Sequence, residues 1–416
     1  MKIETILKNL NFNELTPIQK ETIKNFNKSE NIVGLAPTGT GKTHAYLIPI
    51  LLNTSTDSLL ETIIIVPTNE LVIQVSKMLL DTKTEITSRA IYGDMDLKKE
   101  ANRFKNNPPK ILITTPQKLI DLTFKYNVIN LNQIKYFVLD EADMLFDDSF
   151  IKLIDPFVEK LSNSKFLLYS ASLNEIMNPF IKKYFGSFIN IDTTKESILD
   201  IDYYLVENHL NKLETLDNLL TNLNPFLGLI FVSKNEDINL VYEYLLNHNY
   251  NVISYSSKHN LKTRRRLLND IHNLKYQYIV TSDLLARGID FESSHIINYD
   301  LPYKLEYFTH RSGRTGRMGK KGEVYLIYEN NDSRKIDKLI DMGIDFTKVT
   351  ITKNGIKKVI KRKYKYDKQI AAAIKSVPKP TKVKPGYKKK HQKLVKEEIK
   401  KIRKKRYRNA SLRKPR

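Results

Sequence analysis

The sequence predicts two parallel α/β domains in tandem followed by a basic tail that stays disordered until it meets a polyanion. Three observations carry this expectation. Apolar runs of strand length alternate with helical patterns, and the runs are continuous, as in parallel strands covered on both faces. The runs are too many for one ordinary doubly wound sheet. Charge is also segregated: of a net +23 over 416 residues, the segment after Thr352 holds 27 Lys and Arg against three acids (Asp367, Glu397, Glu398). The first 352 residues hold 42 basic and 43 acidic groups, so a nearly neutral body carries a polycation. The expected division is residues 1–200, 201–350 and a tail at 351–416, with a polar connector near Ser197–Leu213.

Taken in order, the first series of strands is Ile32–Leu35, Ile63–Val66, Ile111–Thr114, Tyr136–Leu139 and Phe166–Tyr169. The second is Leu227–Phe231, Val252–Ser254, Tyr278–Thr281, His295–Asn298 and Glu323–Ile327. Helical patterns fall at Asn69–Leu80, Leu97–Lys105, Asn174–Phe185, Asp237–Asn247 and Leu261–Ile271. Repeated βα units imply parallel sheets. A 41% apolar content supports a sizeable core. The absence of cysteine excludes disulfides, Cys-zinc sites and thiol nucleophiles. The longest apolar stretch, Ala45–Leu52, is far short of the ~20 residues of a membrane span. The charged N-terminal residues do not resemble a signal peptide, so a soluble cytoplasmic protein is expected.

Directly after the first strand stands Ala36-Pro37-Thr38-Gly39-Thr40-Gly41-Lys42-Thr43. Apart from Ala36 in place of glycine, this is the phosphate-cradling pattern in its strand–loop–helix context. Gly39 and Gly41 let backbone N–H groups turn inward around phosphate oxygens. Lys42 offers a point charge, the Thr43 hydroxyl is a candidate Mg²⁺ ligand, and the helix N-terminus adds its dipole. A chance glycine-rich turn is the bland alternative. It weakens once a second strand is seen to end in Asp140-Glu141-Ala142-Asp143. There Asp140 can hold Mg²⁺ and Glu141 can orient or deprotonate water, as nucleotide hydrolysis needs.

With these residues in view, the chain resembles the DEAD-box ATP-dependent RNA helicases from about Asn11 to Tyr328. Asn11–Gln19 looks like the Q motif, Pro67–Leu71 like motif Ia, Thr115–Lys118 like Ib, and Ser170-Ala171-Ser172 like the Ser-Ala-Thr motif. Phe231–Ser233 looks like motif IV, Thr281–Asp283 through Asp290 like V, and His310–Arg317 like VI. The resemblance implies two RecA-like domains of the P-loop NTPase type. It implies an RNA-dependent ATPase that closes on RNA and ATP and unwinds short duplexes or remodels structured RNA, ribosomal RNA included. Nucleotide would be held by Thr16, Gln19, Thr38, Gly39, Thr40, Gly41, Lys42, Thr43, Gly288 and Asp290, with Mg²⁺ at Thr43 and Asp140. Catalysis would fall to Lys42, Asp140, Glu141 and two arginine fingers, Arg314 and Arg317. Thr115, Lys118, Arg264 and Thr281 would grip RNA. Asp143, Ser170, Ser172 and His310 would couple the two activities. The fingers lie in the second domain and the phosphate loop in the first, so hydrolysis would be gated by closure.

Several positions depart from that pattern. Asn11 and Leu15 alter the Q motif, and the usual upstream aromatic would fall before Met1. Asn69 replaces an arginine in motif Ia, Asp94 a glycine, Leu261 a glutamine, and Ser172 a threonine. ATPase is expected to survive and RNA grip to be tuned. Lys384–Lys390 resembles the tails of bacterial cold-shock members, and the tail is expected to anchor the protein on RNA or ribosomal particles. The rival readings are an ATP-gated RNA clamp or annealing chaperone, a DNA helicase and, weakest, a membrane-surface role for the tail. A monomer is expected.

Overall fold

The computed structural model describes residues 2–359 except 55–58, 147, 162, 174, 196–198, 209–210, 284–291, 317–319 and 353–354. Beyond residue 359 it describes only Val377, Leu394, Glu397 and Lys401, so most of the predicted tail lies outside the described residues, as do Gly288, Asp290 and Arg317.

Two sheets are present. The first contains β1 (Asn31–Leu35), β2 (Thr62–Ile65), β3 (Ser88–Ile91), β4 (Ile111–Thr114), β5 (Tyr136–Leu139), β6 (Lys165–Ser170) and β7 (Phe188–Asp192). All pair in parallel, in the order β3-β4-β2-β5-β6-β1-β7. The second contains β8 (Ile201–Glu207), β9 (Gly228–Phe231), β10 (Val252–Tyr255), β11 (Tyr278–Thr281), β12 (His295–Asn298), β13 (Gly322–Tyr328), β14 (Phe346–Thr352) and β15 (Gly355–Lys358). Its order is β10-β11-β9-β12-β13-β8-β14-β15, parallel from β10 through β14.

The unbroken apolar strands follow from burial on both faces. In β2, Ile63 and Ile65 enter one core cluster and Ile64 the other. β9 divides in the same way, with Leu229 and Phe231 on one side and Ile230 on the other. The predicted helices form, some of them with side-chain caps: Thr68 accepts from the Leu71 amide at the start of Asn69–Asp81, and Asn260 from the Thr263 amide at the start of Leu261–His272. The helix expected from Asn174 instead runs Met177–Tyr184.

The stretch 197–213 is more than connector. It contains β8, which sits between β13 and β14 and so belongs to the second sheet. That sheet also continues through Lys358, past the boundary at residue 350 expected for the second domain. β3 and β7 give little signal in the sequence because they are short edge strands with polar, part-exposed residues.

The order of the first sheet positions the chemistry. β5, β6 and β1 are neighbours, so Asp140, Ser170 and the loop at Ala36 leave the same edge side by side. Ligands of open α/β sheets bind beyond the carboxyl ends of such strands.

Candidate active site

The loop after β1 folds as its glycines permit: Gly39 and Gly41 have φ of 87° and 89°, in the left-handed region. Gly41 caps the helix Lys42–Asn53. The Gln19 side chain lies against it, donating to the Gly41 carbonyl at 3.2 Å and accepting from the Thr16 amide at 2.9 Å. Gln19 is therefore buried as a brace between the Q-motif helix Pro17–Asn25 and the phosphate loop, a second duty beside the expected contact with adenine. Lys42 is also buried. Its ammonium donates to the Ala36 and Pro37 carbonyls at 3.0 and 3.3 Å and lies 3.8 Å from Glu141 Oε1.

Asp140 is held at both oxygens. Oδ1 accepts from the Glu141 amide at 2.9 Å; Oδ2 accepts from Tyr46 OH at 2.8 Å and Thr43 Oγ1 at 3.2 Å. Burial and the neighbouring Glu141 charge push its carboxyl up to about 6, against the opposing effects of the Tyr46 bond and the Lys42 charge. Glu141 itself has φ 50° and ψ 51°, a rare conformation for a side-chain-bearing residue that clusters at functional sites. Its Oε2 is buried without a hydrogen-bond partner.

The second domain closes this site. His310, on the helix Glu306–Ser312, bridges two loops of the first domain: Nδ1 lies 3.1 Å from Thr38 Oγ1 and Nε2 lies 3.0 Å from Asp143 Oδ2. Burial alone would raise the Asp143 carboxyl, but the His310 bond and charge outweigh it and hold it below the ordinary range. Asp143 is thus ionised and Nε2 donates to it. The Asp143 amide donates to Ser170 Oγ at 3.1 Å, and Ser170 Oγ donates to the Ser172 carbonyl at 2.8 Å. The four predicted coupling residues form one chain that ends on the phosphate loop. Gly313 packs on Thr38, where a Cβ would meet the Thr38 carbonyl oxygen at 3.2 Å. The adjoining Arg314 is 4% exposed.

Arg311 lies inside motif VI, yet nothing in the sequence alone singles it out. It is fully buried and bonds Asp283 (2.6 Å), Asn298 (3.0 Å), the Asp300 carbonyl (2.9 Å) and Ser233 (2.9 Å). It ties the ends of β9, β11 and β12 together and so supports the helix that carries His310.

The four predicted RNA contacts separate. Thr115 and Lys118 are part-exposed at the short helix Pro116–Ile120. Thr281 is fully buried at the end of β11, its hydroxyl donating to the Ser282 carbonyl at 3.2 Å; a surface contact is not what this side chain makes. Arg264 forms an ion pair with buried Glu70 of the first domain. Around that pair, the Arg265 guanidinium stacks 4.9 Å over the Tyr92 ring and bonds its hydroxyl. Leu261 closes over Gly93, whose amide donates to Asn69 Oδ1 at 2.8 Å. Asn69 and Leu261, two of the departures from the family pattern, therefore meet in one interdomain patch.

Replacing Arg264 with Ala strands a buried carboxylate; breaking a buried pair costs about 3–5 kcal/mol. ATP-dependent RNA affinity should fall at least ~10-fold, at about 1.4 kcal/mol per decade. RNA-free ATP affinity should be unchanged, and titrations with and without RNA check both.

The family described as DEAD/DEAH box helicase matches residues 16–179, and the helicase conserved C-terminal domain matches 211–319. The DEAD-box ATP-dependent RNA helicase CshB of Bacillus subtilis is 33% identical over 97% of this chain and 94% of its own. The chain belongs to the DEAD-box ATP-dependent RNA helicases. Among solved structures, the DEAD-box helicase Mss116 bound to ssRNA and UDP-BeF is 26% identical with a TM-score of 0.72, over 85% of this chain and 78% of that one. Dbp5 of S. cerevisiae bound to RNA and ADP BeF3, 24% identical over 83% of this chain and 93% of its own, shares the fold with a TM-score of 0.72. As a DEAD-box helicase the chain is an ATP-hydrolysing enzyme of two RecA-like domains. Among the described residues no helix is long and apolar enough to cross a membrane.

Proposed function

We propose that this helicase hydrolyses ATP when RNA draws its two domains together, and that closure locally opens short RNA duplexes. The observation that carries this reading is the Thr38–His310–Asp143–Ser170 chain. It passes from the phosphate loop through the second domain and back to the strand edge of the first. Such a chain exists only when the domains meet, so ATP and RNA, each favouring closure, bind cooperatively.

In this reading Lys42 and Arg314 bear on the phosphates, Glu141 orients the attacking water, and Thr16 and Gln19 meet the base. Arg317, Gly288 and Asp290 take the roles that the family gives them. Magnesium fits the donor set. The Thr43 hydroxyl and Asp140 carboxylate are hard oxygen donors 3.2 Å apart, and Glu141 Oε2 is an open acceptor beside them. Among the described residues no group of three or more acids or histidines forms a complete cage for the ion. It would supply charge neutralisation between the phosphates. Thr115 and Lys118 grip the RNA backbone, Arg264 acts as an interdomain tie, and the basic tail holds the protein on structured RNA.

The test is steady-state ATP hydrolysis with and without structured RNA, beside separation of a short and a long duplex. Stimulation by RNA with separation of the short duplex alone is the expected result. Stimulation without separation would make the protein a clamp or annealing factor, and stimulation by DNA alone would overturn the RNA assignment. A chain ending at residue 359, which spares β15, should keep the ATPase and bind RNA more weakly. Its salt slope should be shallower by ~0.7–0.9 for each phosphate that the tail would otherwise neutralise.

A further inference from the structure

The helix after the phosphate loop carries a buried phenol that the family roles leave unassigned. Tyr46 is fully buried in the run Ala45–Leu51, which otherwise reads as core. A phenol in such a place is tolerated when its hydroxyl finds a partner. Its partner is Asp140 Oδ2, at 2.8 Å. Thr43 and Tyr46 stand three residues apart on one helix face, and both hydroxyls converge on that same oxygen.

The ring is fixed from behind. Tyr169 lies 5.3 Å away, ring to ring, in the space left by Gly34, where a Cβ would come within 2.6 Å of two ring atoms. Tyr169 is anchored in turn by its own hydroxyl on Thr22 Oγ1 at 3.1 Å. Tyr46 therefore has little freedom to swing away from the carboxylate. With the Glu141 amide on Oδ1, the carboxylate plane of Asp140 is held from both sides.

We propose that Tyr46 is a positioning residue of the magnesium–nucleotide site, fixing the Asp140 carboxylate beside the Thr43 hydroxyl so that both oxygens present to one cation. The proposal rests on the magnesium assignment made above. Partners that orient a metal ligand from behind change metal affinity by roughly 10–100-fold when removed. Tyr46→Phe keeps the ring and its packing and deletes only the donor.

The experiment is a Mg²⁺ titration of the binding of a fluorescent ADP analogue to the full chain, with a metal-free titration alongside. Tyr46→Phe should raise the half-saturating Mg²⁺ concentration by about 10-fold or more, at the low end of that range. Nucleotide affinity without metal and the thermal midpoint should stay at the wild-type values. Tyr169→Phe is the control: it removes a buried hydroxyl in the same layer without touching Asp140, and should leave the Mg²⁺ curve in place. An unmoved curve in Tyr46→Phe overturns the proposal. So does an equal drop in metal-free affinity, or an equal shift in Tyr169→Phe, since either would mark a packing effect. Wild-type binding that ignores Mg²⁺ would overturn the magnesium assignment and this proposal together. A wild-type response that the variant matches would sink this proposal alone.

Discussion

Arg314→Ala should lower RNA-stimulated ATP turnover by about 10³–10⁵-fold, the range measured for arginine fingers. The side chain is 4% exposed and follows directly on Gly313, whose packing on Thr38 leaves no room for a Cβ without displacement. In the proposed reading, a guanidinium there would meet the charge that develops on the transferred phosphoryl group only when the second domain is seated. Binding of ATP to the first domain should be nearly unaffected, so the loss should appear in single-turnover hydrolysis rather than in nucleotide affinity. Lysine should rescue poorly, because a point charge does not reproduce the planar fork. A loss below about 10-fold in single-turnover assays would remove Arg314 from the reaction centre.

Glu141→Gln should reduce turnover by about 10²–10⁴-fold, as expected for a residue that orients or deprotonates water. Here the effect should separate from binding. The amide is isosteric, the Lys42 ammonium keeps its bonds to the Ala36 and Pro37 carbonyls, and the His310 chain does not include residue 141. ATP and RNA should therefore both remain bound, and RNA should dissociate more slowly in ATP than from the wild type. Stopped-flow release of labelled RNA measures this; release as fast as the wild type's would show that hydrolysis does not control opening.

Much of this architecture is legible in the sequence because the signal is local. The strands β1, β2, β4 and β5 announce themselves as apolar runs, since nearly every side chain is buried whichever face it points to. The phosphate loop and Asp140-Glu141 are legible because their chemistry needs adjacent residues. The parts that stay hidden are those in which meaning arises only on folding. β8 is polar enough to pass for connector, and only pairing between β13 and β14 makes it a strand. Arg264 reads as an RNA contact and Glu70 as part of motif Ia, and only the folded domains reveal that the two pair with each other. Thr281 reads as an exposed contact because it begins a loop motif, yet it closes β11 and is fully buried. Tyr46 reads as core because in an apolar helix the ring dominates the pattern and the single oxygen leaves no trace in it.

Among the described residues, the interdomain contacts named above fall in two places: the His310 chain, on the loops after β1 and β5, and the Arg264–Arg265–Leu261 patch, on the helix after β2 and the loop after β3. Two bodies pressed together at one spot can still pivot about it; pressed at two, they lose that freedom. Damage to the outer patch would thus leave His310 as a swivel, and the domains could touch yet sit askew. Such a protein would hold RNA less tightly and idle even with both ligands bound, its fault lying in alignment rather than in any group that reacts.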